Sequence, residues 1–414
     1  MMMRLDAGFR LLLSISLALL TLSCRAPAPV PPQPGWGSRP GEFSRDRAWQ
    51  HLEALVRIGP RVTETEGASR ARAYILDELS KLDIEVHTQT ATQFLPPDQE
   101  QELNLTNLVG VVPGESEDVV ILGAPYDSRF FEDFRFVGAN DGASGAAVLL
   151  EMARVLAERP LPYTTWIAFF DAEALRETGD SERDRVMLLG SRAFAILLRQ
   201  YRLVHRTHLM LALNRVCDAD LQIARDSRSN RHARDVFFEA AKRLGRAEAF
   251  PLDQRFQSFI GSHLYFKEAR LRVVGLSDTS FGGDEPPGLY ANSEDDDLEH
   301  CSPESLETVG AVALEALEVF TKRIANVVRS TRATPAEPVE VPTEPLEPEQ
   351  PSPEQGEAAP PEEAAGGEAG EPESEEPSPE ESEEVSPQAA AESGAEAPGE
   401  ASGQEEAGAE AAAP

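Results

Sequence analysis
The sequence predicts an α/β fold in which a mostly parallel, twisted sheet is covered by helices on both faces, giving three layers. Two observations carry this. Short apolar runs alternate with longer segments of helical periodicity, the order expected of βα units. The runs Val119–Gly123 and Thr165–Phe170 are apolar on both faces, as buried central strands should be. In sheets of this kind ligands sit beyond the carboxyl ends of the strands. Those ends here carry Asp127, Asp141, Asp171, Glu173 and Glu177.

In order along the chain, Trp49, Leu52, Leu55 and Val56 recur at helical spacing within 45–56, and Ile58-Gly59-Pro60-Arg61 breaks the pattern. A second helix is expected over 66–82, with Ala71, Tyr74, Ile75, Leu79 and Leu82 on one face. Strands over 84–90 and 105–112 form a first hairpin that ends at Pro113-Gly114. The helix after Asp141 buries Val148, Leu149, Met152, Val155 and Leu156 and stops before Pro160. A polar loop over 173–185 leads to a helix over 191–201, a strand over 208–213 and an amphipathic helix over 230–244. A strand over 271–276 and a long helix over 303–328 complete the folded part.

Composition divides the chain further. It has 414 residues and a formal charge of −34, yet the segment after Arg332 holds 24 Glu and no Asp, Lys or Arg, which leaves only −10 on the rest. The folded part, about 290 residues, is long enough for one domain with a substantial core. Its mild acidity argues against a nucleic-acid partner, which would call for a basic patch. Residues 331–414 are rich in Pro, Glu, Ala, Ser and Gly with almost no large apolar side chain, and are expected to be disordered. Such a tail is a solvating spacer or a lure for cations or a basic partner.

Residues 1–24 read as an export signal: Arg4 and Arg10 bracket the charged start, Leu11–Leu22 is apolar but short for a bilayer span, and Ser23 precedes Cys24. The Leu-Thr-Leu-Ser-Cys ending resembles a bacterial lipobox, which would make Cys24 a lipidated anchor; an ordinary cleaved signal is the plainer alternative. Residues 25–42 form a Pro- and Gly-rich tether, and 43–330 the folded domain. Cys217 and Cys301 are too few and too far apart for a cysteine zinc motif. They are open either to pairing or to service as small buried side chains.

Four stretches carry a resemblance: Pro125-Tyr126-Asp127-Ser128, Gly138-Ala139-Asn140-Asp141-Gly142-Ala143-Ser144-Gly145, Phe169-Phe170-Asp171-Ala172-Glu173-Ala174 and Leu189-Gly190-Ser191-Arg192. In sequence and spacing they resemble the zinc-exopeptidase family of bacterial aminopeptidases and glutaminyl-peptide cyclotransferases, over roughly 43–328. That family reads His-Tyr-Asp-Ser, Gly-Ala-Asn/Thr-Asp-x-Ala-Ser-Gly, Phe-Phe-Asp-Gly-Glu-Glu and Leu-Gly-Ser-Arg. The Asp-Ser-Arg-Phe-Phe run leans toward the cyclotransferases.

The resemblance implies a zinc held by His, Asp, Glu and a second His, with a neighbouring Glu as general base. Carried onto this chain, the first His falls on Pro125, the Asp on Asp141, the base on Glu173, the ligand Glu on Ala174 and the late His on Asn292. A further Asp used by two-zinc aminopeptidases falls on Asn214, and an Asp-Asp-His segment tied to proton handling falls on Gly261-Ser262-His263. Only Asp141 survives as a ligand, whereas a catalytic zinc uses about three protein ligands. Asp127, which would orient the first His, is left with nothing to orient.

The expectation is therefore a non-catalytic lipoprotein of the bacterial envelope, membrane-anchored, with no cofactor, binding peptide N-termini or an envelope protein through the old cleft. An active zinc cyclotransferase or aminopeptidase with a relocated site is the alternative, its candidate ligands being Asp127, Asp141, Glu177, Asp180, His263 and His300. A third reading makes the domain ballast on an envelope spacer. Residue by residue, Asn140-Asp141-Gly142 is expected to act chiefly as a helix cap, and Ser191 and Arg192 to fix the start of their helix.

Overall fold
The computed structural model describes residues 42–95, 100–174, 176–177, 185–252 and 257–329. The expected export segment with Cys24, the tether, the acidic tail and Asp180 lie outside the described residues, as does the side chain of Glu177.

Two helices open the fold, α1 (Arg45–Ile58) and α2 (Glu66–Ser80). The Ser44 side chain accepts from the amide of Arg47, and Thr65 caps α2 through the amide of Ala68. Strands β1 (Glu85–Leu95), β2 (Gln101–Val112), β3 (Ser116–Pro125) and β4 (Tyr163–Phe170) follow, with α3 (Ser144–Glu158) between the last two. A short ribbon, β5 (Arg176–Glu177) with β6 (Arg185–Val186), leads to α4 (Leu189–Gln200). Then come β7 (Thr207–Leu213), α5 (Arg231–Arg243), α6 (His263–Glu268), β8 (Val273–Leu276) and α7 (Pro303–Arg329).

The main sheet has six strands in the order β1-β2-β4-β3-β7-β8. β3 lies parallel to both β4 and β7, and β7 parallel to β8, whereas β1 and β2 join antiparallel at one edge. Along β3, Val120, Leu122 and Ala124 enter one core with α1, α2, α3, α5 and α7. Val119 and Ile121 enter the other core, with Trp166, Phe194 and Phe266 from β4, α4 and α6. Both faces are thus helix-covered, in agreement with the three-layer expectation. Among the described residues no helix is long and apolar enough to cross a membrane.

The edge hairpin exceeds expectation: β1 and β2 pair from Glu85↔Val111 to Leu95↔Gln101. The second half of β1 buries Ala91, Gln93 and Leu95 and leaves Thr90, Thr92 and Phe94 more exposed, so Gln93 breaks the apolar alternation that would mark the strand, and pairing with β2 completes it. Helix α6 was not expected either, because six residues are too few to display a helical period. Cys217 and Cys301 form a disulfide, which resolves the alternative left by the sequence. It ties the loop after β7 to the start of α7, where Ser302 also donates its amide to the carbonyl of Cys217 at 2.7 Å.

Candidate functional site
The carboxyl ends of β3, β4, β7 and β8 open onto a cavity of about 250 Å³. Pro125, Asp127, Asp141, Glu173, Ala174, Asn214, Arg215, Ser262, His263 and Asn292 all line it. Behind it lies Arg61, with no exposed surface, whose guanidinium donates to the carbonyls of Tyr126 (2.9 Å), Leu55 (3.4 Å), Gly59 (3.2 Å), Val137 (2.7 Å) and Gly138 (2.9 Å). One side chain thus holds the end of β3, the end of α1 and the loop that carries Asp141. Burial lowers the Arg61 pKa to about 10, with Asp127, Asp296 and Asp141 opposing the shift.

The Asp141 corner begins with a kinked turn over Ala139–Ala143. Gly142 has φ +95°, and a Cβ there would stand 2.0 Å from the Asp127 carbonyl oxygen, so only glycine fits. The buried Asp296 carboxylate accepts from the amides of Asn140 (2.6 Å) and Asp141 (3.2 Å). Asp141 does not cap α3, contrary to the sequence expectation: Ala143 occupies the capping position and no side chain caps that helix. Its carboxylate turns instead to the end of β7. Asn214 Nδ2 donates to Oδ1 at 2.8 Å, and Arg215 donates to Oδ2 from Nε at 3.1 Å and Nη2 at 2.6 Å. Burial works to raise the Asp141 pKa, but the Arg215 charge and hydrogen bonds outweigh it and hold the carboxyl below its usual range. Asp296 is pushed up to about 7, by burial first and then by the charge on Asp141.

The Glu173 corner stands at the end of β4. Asp127 accepts from the amides of Glu173 (3.1 Å) and Ala174 (3.0 Å). It therefore has something to orient after all: the loop that presents Glu173, through backbone groups that a search for side-chain partners does not find. Glu173 Oε1 accepts from the Ser191 amide at 2.7 Å and Oε2 from the Ser262 hydroxyl at 2.5 Å. Burial pushes the Glu173 carboxyl up to about 8, Asp127 adds to the shift, and the bonds from Ser262 and Ser191 oppose it. Asp127 itself rises to about 7 through burial and the nearby Asp171. Asp171 faces inward, accepting from Thr63 Oγ1 at 2.8 Å and the Thr106 amide at 3.0 Å, and belongs to the scaffold.

Pro125, Ala174 and Asn292 do line the cavity with Asp141, so the structure brings together the positions that the resemblance assigns to a metal. Their side chains do not fit zinc: Pro125 and Ala174 offer no donor, and Asn292 only a neutral amide. Both oxygens of Asp141 are already engaged. Of the candidate replacement ligands that are described, Asp127, Asp141 and His263 line the cavity, but each is turned to partners of its own. His263 is buried with Nε2 3.2 Å from Asp226, and His300 contacts Asp297 and packs on Tyr290. Among the described residues no group of three or more His, Cys, Asp or Glu is placed to hold a metal ion.

Two site residues escaped the sequence reading. Arg215 offers no metal-binding atom and so belongs to no ligand pattern, although an Arg directly after the end of a central strand is a legible signal. Ser262 stands at a position where the resemblance expects an acid, and its bond to Glu173 depends on a fold-level approach that no local pattern records. As it stands, the cleft can donate hydrogen bonds through Arg215 and exchange a proton at Glu173, to whose carboxylate Ser262 already commits its hydroxyl proton.

The sequence profile described as peptidase family M28 matches residues 107–317, just over half of the 414 residues. A glutaminyl-peptide cyclotransferase of Dictyostelium discoideum is 28% identical over 177 residues, 38% of this chain and 48% of that protein, so the chain spans about half the length of that curated relative. The crystal structure of an Acidobacteriales bacterium glutaminyl cyclase superposes with a TM-score of 0.62 at 26% identity, covering 73% of this chain and 100% of the other. A Zn-dependent exopeptidase from Parabacteroides distasonis shares the fold, with a TM-score of 0.60 at 23% identity over 67% of this chain and 98% of its own.

Proposed function
The chain belongs to peptidase family M28, and from that premise we propose that it is a non-catalytic, glutaminyl cyclase-like member that binds peptide segments through its cleft. The observation that carries this is Asp141: the one zinc-ligand position that keeps a ligating side chain is bonded to Asn214 and Arg215. The neighbouring ligand positions hold Pro125, Ala174 and Asn292. Residues 1–24 as a lipoprotein signal with Cys24 as its anchor, and 331–414 as an acidic spacer, complete the proposal of an envelope protein whose partner is a peptide N-terminus or another envelope protein. The disulfide between Cys217 and Cys301 supports an oxidising compartment.

The test is zinc content and turnover on the purified chain. Protein produced with ample zinc and then dialysed is expected to carry none, to leave a Gln-initiated peptide unchanged, and to bind that peptide reversibly by fluorescence anisotropy. A tightly held ion together with steady cyclisation would overturn the proposal.

A second reading, that of an active enzyme, rests on Glu173, which keeps the position of the general base and whose carboxyl lies near neutral pH at about 8. Turnover of the same peptide, abolished in Glu173→Gln, would establish it.

A further inference from the structure
The last carbonyls of β7 lead straight into Asn214 and Arg215, and the backbone there is tightly held. Arg215 has φ +55°, a left-handed conformation unfavourable for a non-glycine residue. It persists because the chain is pinned on both sides. The Arg215 amide donates to the carbonyl of Asn140 at 3.2 Å, and the Asp278 amide donates to the carbonyl of Arg215 at 2.9 Å. The next residue, Val216, donates its amide to Ser144 Oγ at 3.0 Å, and Cys217 is cross-linked to Cys301. A guanidinium delivered by so constrained a backbone is a positioned group.

We infer that Arg215 is a built-in cation that stands at Asp141 where a related site would hold its metal, and that its guanidinium closes the cleft to divalent ions independently of the missing ligands. The inference goes beyond the proposed lack of catalysis, while resting on the same assignment of Asp141. Its argument is one of occupancy and charge. A divalent ion approaching Asp141 has to displace three hydrogen bonds, two of them from Arg215, and then remain beside a fixed positive charge. Nor can Arg215 leave cheaply, since its departure would strip a partly buried carboxylate of its counter-charge. Unlike zinc, a guanidinium can hydrogen-bond a ligand oxygen but cannot lower the pKa of water to make a nucleophile. Ligand loss and cation gain are therefore separate changes, and separable by experiment.

The experiment restores the donors with and without the cation in the full-length protein. The variants are P125H/A174E/N292H, the same with R215A, and the same with R215K, each checked for folding by circular dichroism. Zinc affinity is read by competition with a chromophoric chelator, and zinc content after dialysis by elemental analysis. The triple variant is expected to bind zinc weakly, R215A in that background to tighten binding on the order of 100-fold, and R215K, which keeps the charge, to stay weak. Equal affinity in the triple variant with and without R215A would overturn the inference while leaving the proposed function intact. Tight zinc in the wild type would overturn both. If the triple variant does not fold, P125H/A174E with and without R215A, which with Asp141 offers three donors, makes the same comparison, with the same ordering expected.

Discussion
Two carboxyl groups, Asp141 partly buried and Glu173 buried, face one cavity, and the protein treats them in opposite ways. At the end of β7, Asp141 meets Arg215 and is held below the usual carboxylate range. At the end of β4, Glu173 meets only a hydroxyl and an amide and is pushed up to about 8. Burial opposes ionisation at both; what differs is whether a full positive charge or only neutral dipoles answer it. The lesson is that a cleft can keep two acids of a catalytic layout and still assign them unlike states, so retention of a residue type says little about retention of its role.

Both corners rest on Arg61, and removing it should erase the contrast altogether. Arg61→Met would leave five carbonyls without their donor in a closed interior, and is expected to cost about 4 kcal/mol of stability, measured by urea unfolding. A loss under about 1 kcal/mol would mean that water replaces the guanidinium and that the corners stand independently.

The contrast is sharpened by pH. Glu173 has a folded pKa above its usual value of 4.5, so the native state holds a proton that the unfolded chain has released. Its contribution is complete below the usual value and is lost as pH climbs through about 8. Asp141, shifted the other way, contributes at neutral pH and loses that contribution as acid protonates it. Glu173→Gln should therefore flatten the alkaline decline, gaining about 2 kcal/mol on the wild type between about pH 6 and pH 8, and leave the acid limb alone. Asp127 and Asp296, both raised to about 7, supply the residual slope. Parallel pH–stability curves for the two proteins would show Glu173 to be solvated rather than buried.

The smallest change is Ser262→Ala. The hydroxyl bond at 2.5 Å lowers the Glu173 pKa, so its loss should move the alkaline midpoint to higher pH. The accompanying cost is about 1 kcal/mol at neutral pH. An unmoved midpoint would assign that bond no electrostatic part.

The central strands were legible because β3, β4 and β7 are continuous apolar runs that need no tertiary information to identify. The outer half of β1 was not, since Gln93 interrupts the apolar alternation on its buried face and the pairing with β2 completes the strand. At the site, the positions named by the sequence do meet in the cavity, which the spacing of the motifs made readable. What spacing could not supply were relations between backbone and side chain. Asp127 works through two amides, and Asp296 through two more, while the cap expected of Asp141 is not made because α3 starts at Ser144 with Ala143 in the capping position. Cys217 and Cys301 illustrate the same limit, their pairing being decided by the path of the chain between them.

The profile match starts at residue 107, but Arg61 and Thr63, which brace the end of β3 and Asp171, come earlier in the chain. A recombinant fragment trimmed to the matched limits would thus discard the peg around which the cavity wall is wound, besides cutting α7 short of Arg329. Any truncation series aimed at keeping the cavity intact has to begin upstream of α1.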